Sequence, residues 1–83
     1  MARKFAYEAE KDKELYTEAV EVGDTRLIVA VRAYNEGQPK LQISRLNKLT
    51  KTQEWMYTRL GRLTKQEFEH IWPLLEKARA FLG

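Results

Sequence analysis

Between Thr25 and Leu63 the chain carries eight cations, Arg26, Arg32, Lys40, Arg45, Lys48, Lys51, Arg59 and Arg62, against two acids, Glu36 and Glu54. Tyr34, Trp55 and Tyr57 fall in the same stretch. The chemistry open to such a set is non-covalent: guanidinium and ammonium groups neutralise phosphates, and flat rings stack on unpaired bases. The flanks differ, with four cations and seven acids in the first 24 residues and three of each in the last 20. A net charge of +3 therefore conceals a basic middle. Solvated strand faces ordinarily mix both signs. Cations with rings and almost no acids form the surface that a single-stranded nucleic acid requires.

Covalent chemistry finds no footing. The chain lacks Cys and holds one His, His70, so thiolate and histidine-built metal sites are not expected, and neither is any other cofactor. No Gly-rich phosphate loop is present, and Ser44 has no credible base beside it, so a structural or phosphate-contacting role is expected for it and the chain is not read as an enzyme. The acids cluster before residue 25, away from the basic stretch. At 83 residues with 43% hydrophobic content, one folded domain is expected, near the size at which a single core is only marginally adequate. No apolar run approaches a membrane span. The start lacks an apolar signal core, so a cytoplasmic location, nucleoid-associated in a bacterium, is the expectation.

The elements that must position these residues can be read from periodicity. Residues 1–13 read as a loose lead-in, with Phe5 and Tyr7 able to pack, and 14–83 as the domain. Glu14 to Val22 reads as a first strand, closed by a two-residue Gly23-Asp24 hairpin. Thr25 to Asn35 is the strongest strand, with Leu27, Val29, Val31 and Ala33 on one face and Arg26, Ile28, Ala30, Arg32 and Tyr34 on the other. Glu36-Gly37-Gln38 turns the chain, Gly37 offering a left-handed backbone. A third strand spans Pro39 to Lys48; pairing Asn35 with Pro39 sets Tyr34 opposite Lys40, Arg32 opposite Gln42 and Ala30 opposite Ser44. After a loop at Leu49 to Thr52, a fourth strand runs from Gln53 to Leu60. Either its Trp55, Tyr57 and Arg59 face or its Met56, Thr58 and Leu60 face could point outward; an Arg beside two rings favours the former as binding surface.

Thr64-Lys65-Gln66-Glu67 is a capping box opening a helix, with Leu63 at the staple position. Phe68, Ile71, Trp72, Leu75 and Leu82 form an apolar stripe that Leu74, Ala78 and Phe81 widen to roughly 180°, beyond the about 100° one contact needs. A homodimer is expected, with Leu74, Ala78 and Phe81 as its seam, Trp72 in the core and His70 exposed. Pro73 leaves open one kinked helix or two short ones.

The order of elements, with the strings Leu27-Ile28-Val29-Ala30-Val31-Arg32-Ala33-Tyr34, Gln38-Pro39-Lys40-Leu41-Gln42-Ile43-Ser44-Arg45 and Gly61-Arg62-Leu63-Thr64-Lys65-Gln66-Glu67-Phe68, resembles the positive cofactor 4 family of transcriptional coactivators, and more closely its small bacterial and phage relatives. The resemblance spans about Glu14 to Leu82. It implies an α+β fold, a four-stranded antiparallel curved sheet followed by one C-terminal helix. It further implies a homodimer that grips single-stranded DNA with little sequence preference, in transcription, replication, recombination or repair, with transcription or replication proteins as further partners. Eukaryotic members carry a Ser- and Lys-rich regulatory tail that is not in this sequence, so a stand-alone DNA-binding role is expected over coactivation. The residues expected to contact DNA are Arg26, Arg32, Tyr34, Lys40, Gln42, Ser44, Arg45, Lys48, Trp55, Tyr57, Arg59 and Arg62. Docking of an acidic protein partner, as a transcription cofactor would do, and single-stranded RNA binding stay open as alternatives.

Overall fold

The computed structural model describes residues 11–83. It runs β1 (Asp12–Val22), β2 (Thr25–Tyr34), β3 (Lys40–Lys48), β4 (Trp55–Thr58) and α1 (Lys65–Arg79). The strands form one antiparallel sheet in the order β1-β2-β3-β4, so the expected α+β architecture of a sheet followed by a C-terminal helix is observed. β1 begins at Asp12, two residues inside the stretch expected to be a loose lead-in, and the packing suggested for Phe5 and Tyr7 lies outside the described residues.

Turn chemistry sets the registers. Gly23, at φ 62°, takes the first central position of the β1–β2 hairpin, where only glycine is unstrained, and Val22 pairs with Thr25 directly behind it. Farther along, the β1 register shifts by one between Glu14 and Tyr16. The bulge lets Leu15 pack against the core while Glu14 comes opposite Arg32 and Asp12 opposite Tyr34.

The β2–β3 register differs from the expected one by two residues: Arg32 pairs with Lys40, Ala30 with Gln42 and Ile28 with Ser44. Side chains alternate with period two, so a two-residue offset preserves every face assignment. Its cause is the turn. The left-handed residues are Asn35 (φ 55°) and Glu36 (φ 60°), not Gly37, and the Gly37 amide donates to the Tyr34 carbonyl at 2.9 Å. Gly37 is needed for closeness instead, since a Cβ there would lie 2.9 Å from that carbonyl oxygen. β4 is shorter than expected at both ends: a loop from Leu49 to Glu54 with Gln53 at φ 64° takes its first two residues, and pairing with β3 stops at Thr58, which leaves Arg59 and Leu60 in the connector to α1.

One sheet face carries Leu27, Val29 and Val31, each fully buried, and α1 covers it with Ile71, Leu74 and Ala78. Each such Leu, Ile or Val contributes about 1.5–3 kcal/mol by leaving water. The helix starts as its sequence dictates: the Thr64 hydroxyl accepts from the Glu67 amide at 3.1 Å, and the Glu67 carboxylate accepts from the Thr64 amide at 3.0 Å. Leu63 packs against the core beside this cap. Pro73 sits inside one uninterrupted helix on its exposed side, where the carbonyl it leaves without an amide partner can meet water. Tyr16 ties β1 to α1, its hydroxyl donating to Glu18 at 2.8 Å and aimed at the Leu74 carbonyl at 3.4 Å. Burial, and then Glu18, push that phenol up to about 12, so it remains a donor.

The assignments of Leu74, Ala78 and Trp72 change, while that of Phe81 does not. Leu74 and Ala78 are buried within the chain itself and are core, not seam. Phe81 stacks on Tyr16 at 5.2 Å, covering the helix end, while 43% exposed. Trp72 is not core: it and Phe68 are each 48% exposed and lie against one another at 5.8 Å. The sequence stripe was too wide for one sheet contact, and the sheet took the Glu67, Ile71, Leu74 and Ala78 side. His70 is exposed, as expected.

Candidate nucleic-acid interface

The sheet face turned away from α1 collects most of the expected contact residues, because they share one parity along the paired strands. At one end lie Arg32, Tyr34 and Lys40; at the other lie Arg26, Lys48, Trp55 and Tyr57. Between them runs a neutral strip of Ile28, Ala30, Gln42 and Ser44, with the Gln42 amide 3.3 Å from the Ser44 hydroxyl. The two ends are about 20 Å apart, six residues of strand at ~3.3 Å each.

The register of β4 decides between its two faces. Trp55 pairs with Lys48 and Tyr57 with Leu46, which puts both rings on the open side and Met56 and Thr58 on the side of the helix. The rings are not equivalent. Tyr57 is 73% exposed. Trp55 is half-buried, with the Arg26 guanidinium 4.5 Å and the Lys48 ammonium 5.1 Å from its ring centre. Leu46, buried on this face beside them, supplies an apolar floor. At the opposite end a hollow of about 520 Å³ is lined by Arg32, Tyr34, Lys40 and Gln42, with Asp12 in its wall.

Arg45 leaves the set. It pairs with Leu27 across the sheet, on the helix side, where its guanidinium binds both carboxylate oxygens of Glu67 (2.8 and 3.1 Å) and the carbonyls of Leu60 (2.9 Å) and Arg62 (3.0 Å). Both partners are about nine-tenths buried. The Arg45 hydrogen bonds, with help from the Thr64 amide, hold the Glu67 carboxyl below the usual carboxylate range, and Glu67 raises Arg45 in turn. This side chain fastens the β4–α1 connector to the helix cap, with four of its five N–H donors committed there on the face away from the proposed ligand. Arg59 and Arg62 are exposed, but they lie on that connector rather than in the sheet.

The expectation of an almost acid-free face is also corrected. β1 brings three carboxylates onto it: Glu21 bonds Arg26 at 2.6 Å, and Glu14 and Asp12 reach Arg32 at 3.1 and 3.4 Å. The Glu21–Arg26 pairing follows directly from the two-residue hairpin and was available in the sequence. The Glu14–Arg32 pairing depends on the bulge, which no residue type announces.

Searches against protein-family models, curated proteins and solved structures find no match to this chain. Its functional reading therefore rests on its own residues. Among the described residues no helix is long and apolar enough to cross a membrane.

Proposed function

We propose that the chain is a non-enzymatic single-stranded DNA-binding protein with little sequence preference, similar in its mode of action to the positive cofactor 4 family. The observation that carries the reading is the pairing of exposed rings with cations on one sheet face: Tyr57 beside the Arg26–Trp55–Lys48 group, and Tyr34 beside Arg32 and Lys40. Cations meet the phosphates and Tyr57 and Tyr34 receive splayed bases, which a duplex does not offer. Ring stacking and phosphate contacts are common to every base, so weak sequence preference is expected.

The protein acts as a homodimer in this proposal. Phe68 and Trp72 lie on the helix flank opposite Lys77, whose ammonium points to Glu18 on β1, so they stand on the β3 side. Leu41 and Met56 are 42% and 50% exposed on the same side of the sheet. A second copy covering these four side chains would add the core that so small a domain needs. Trp72→Glu should give a folded monomer by light scattering; an unchanged mass would remove this surface from the interface.

The decisive test titrates a Trp72→Phe variant, in which Trp55 alone reports, with oligo-dT, matched duplex, oligo-U and an acidic polypeptide at fixed salt. Quenching by oligo-dT well ahead of duplex supports the reading. Preference for oligo-U would make RNA the ligand, and a response to polypeptide alone would make the face a protein-docking surface.

A further inference from the structure

Arg32 and Lys40 stand directly opposite one another, an arrangement of like charges that destabilises a strand pair. Glu14 stands on the other side of Arg32, with Asp12 near it, so the row across the sheet reads carboxylate, guanidinium, ammonium. The same device recurs at the far end, where Glu21 holds the guanidinium that rests on Trp55. The Arg26–Glu21 and Arg32–Glu14 pairs are partly exposed, about one-third for each Arg side chain, so water and ions reach them, while Asp12 is the more buried of the three carboxylates. An exposed pair of this kind is weak, and a ligand phosphate can displace the carboxylate.

We propose that Asp12, Glu14 and Glu21 are built-in competitors for phosphate. With no ligand they occupy Arg32 and Arg26, offset the Arg32–Lys40 repulsion and keep the face from attracting polyanions indiscriminately. A nucleic-acid backbone must exchange its phosphates for these carboxylates, which lowers affinity and confines the strand's path to β2–β4, away from β1. The inference rests on the single-strand-binding reading and adds what limits that binding.

The test compares oligo-dT binding by the unaltered protein, Glu14→Gln, Glu21→Gln and Glu76→Gln across a salt series. Glu76 is exposed on the helix, so its replacement adds the same net charge away from the face. Glu14→Gln and Glu21→Gln should each bind about two- to fivefold more tightly. Glu21→Gln should also steepen the slope of log affinity against log salt by ~0.7, one guanidinium becoming a net phosphate contact, and Glu14→Gln should steepen it by less, because Asp12 still faces Arg32. Glu76→Gln should change little. If the face variants match Glu76→Gln, or melt lower and bind no better, the carboxylates are structural and the proposal falls while the binding reading stands. Absence of oligo-dT binding in the unaltered protein would overturn both.

Discussion

Two arginines on opposite faces of one sheet show how the same kind of ion pair can be a buried strut on one side and an exposed, exchangeable contact on the other. On the helix side Arg45 and Glu67 are about nine-tenths buried and share four hydrogen bonds between the guanidinium, the carboxylate and two carbonyls. On the open side Arg32 and Glu14 are 36% and 41% exposed and meet through a single 3.1 Å contact. Breaking the first strands a charge where water cannot reach it. Breaking the second lets both groups hydrate, so little is lost and a phosphate can take the carboxylate's place. Along a paired strand, parity thus decides whether a basic residue faces the helix or the open side of the sheet.

The largest expected effect is on Arg45. Arg45→Met should destabilise the fold by about 3 kcal/mol, because it leaves the Glu67 carboxylate buried without its partner. For a domain of this size that is a fall in Tm of about 15 °C. Adding Glu67→Leu should recover part of the loss, since the stranded charge goes with it. If Arg45→Met instead keeps its Tm and loses oligo-dT affinity, the guanidinium contacts ligand and the division between the faces fails.

The same pair should set part of the acid limb of stability. The folded-state pKa of Glu67 is depressed, so its contribution is full above the ordinary carboxylate value of 4.5 and is lost as pH falls through the lower folded value. Urea midpoints measured from about pH 6 down to about pH 3 should therefore fall, and Glu67→Gln should flatten that descent. Glu18, depressed by its bond from Tyr16, keeps some slope in the variant. A variant curve parallel to the unaltered one would mean the Arg45–Glu67 pair is not formed in solution.

On the open face, Tyr57→Ala should lower affinity for single strands by roughly 1–3 kcal/mol without changing Tm. Trp55→Ala should lower both affinity and Tm, since the ring is half-buried between Arg26 and Lys48. Equal loss of affinity in the two variants at unchanged Tm would show that the cations leave Trp55 on binding and free it to stack.

Parity explains how much of this was legible in the sequence. Leu27, Val29 and Val31 alternate so strongly that their face was evident, and a two-residue error in the β2–β3 register did no harm to it. The Thr64–Glu67 capping box was equally plain, because its donors and acceptors are local. Arg45 was misplaced although its parity with Ile43 was in view, since charge was read ahead of alternation. Trp72 was misassigned because a helix stripe says which residues are apolar but not which part of a wide arc the sheet will cover. The carboxylates of β1 escaped notice for a different reason: a bulge at Leu15 brings Glu14 opposite Arg32, and a bulge answers to packing across the sheet rather than to its own residues.

The smallest effect separates the two neighbouring cations of the open face. No ion pair is formed by Lys40 among the described residues, whereas Arg32 meets Asp12 and Glu14. A phosphate that binds Lys40 releases one counterion from the nucleic acid, so Lys40→Ala should flatten the salt slope by ~0.7. A phosphate that binds Arg32 must displace carboxylates, and these gather cations of their own from solution. Arg32→Ala should therefore leave the slope nearly unchanged while weakening binding by up to ~1 kcal/mol, since two carboxylates then face the ligand uncompensated. Equal flattening in both variants would show that Arg32 behaves as an unencumbered phosphate contact. The exposed pair would then already be open before the ligand arrives, and the contrast with Arg45 would rest on burial without any exchange.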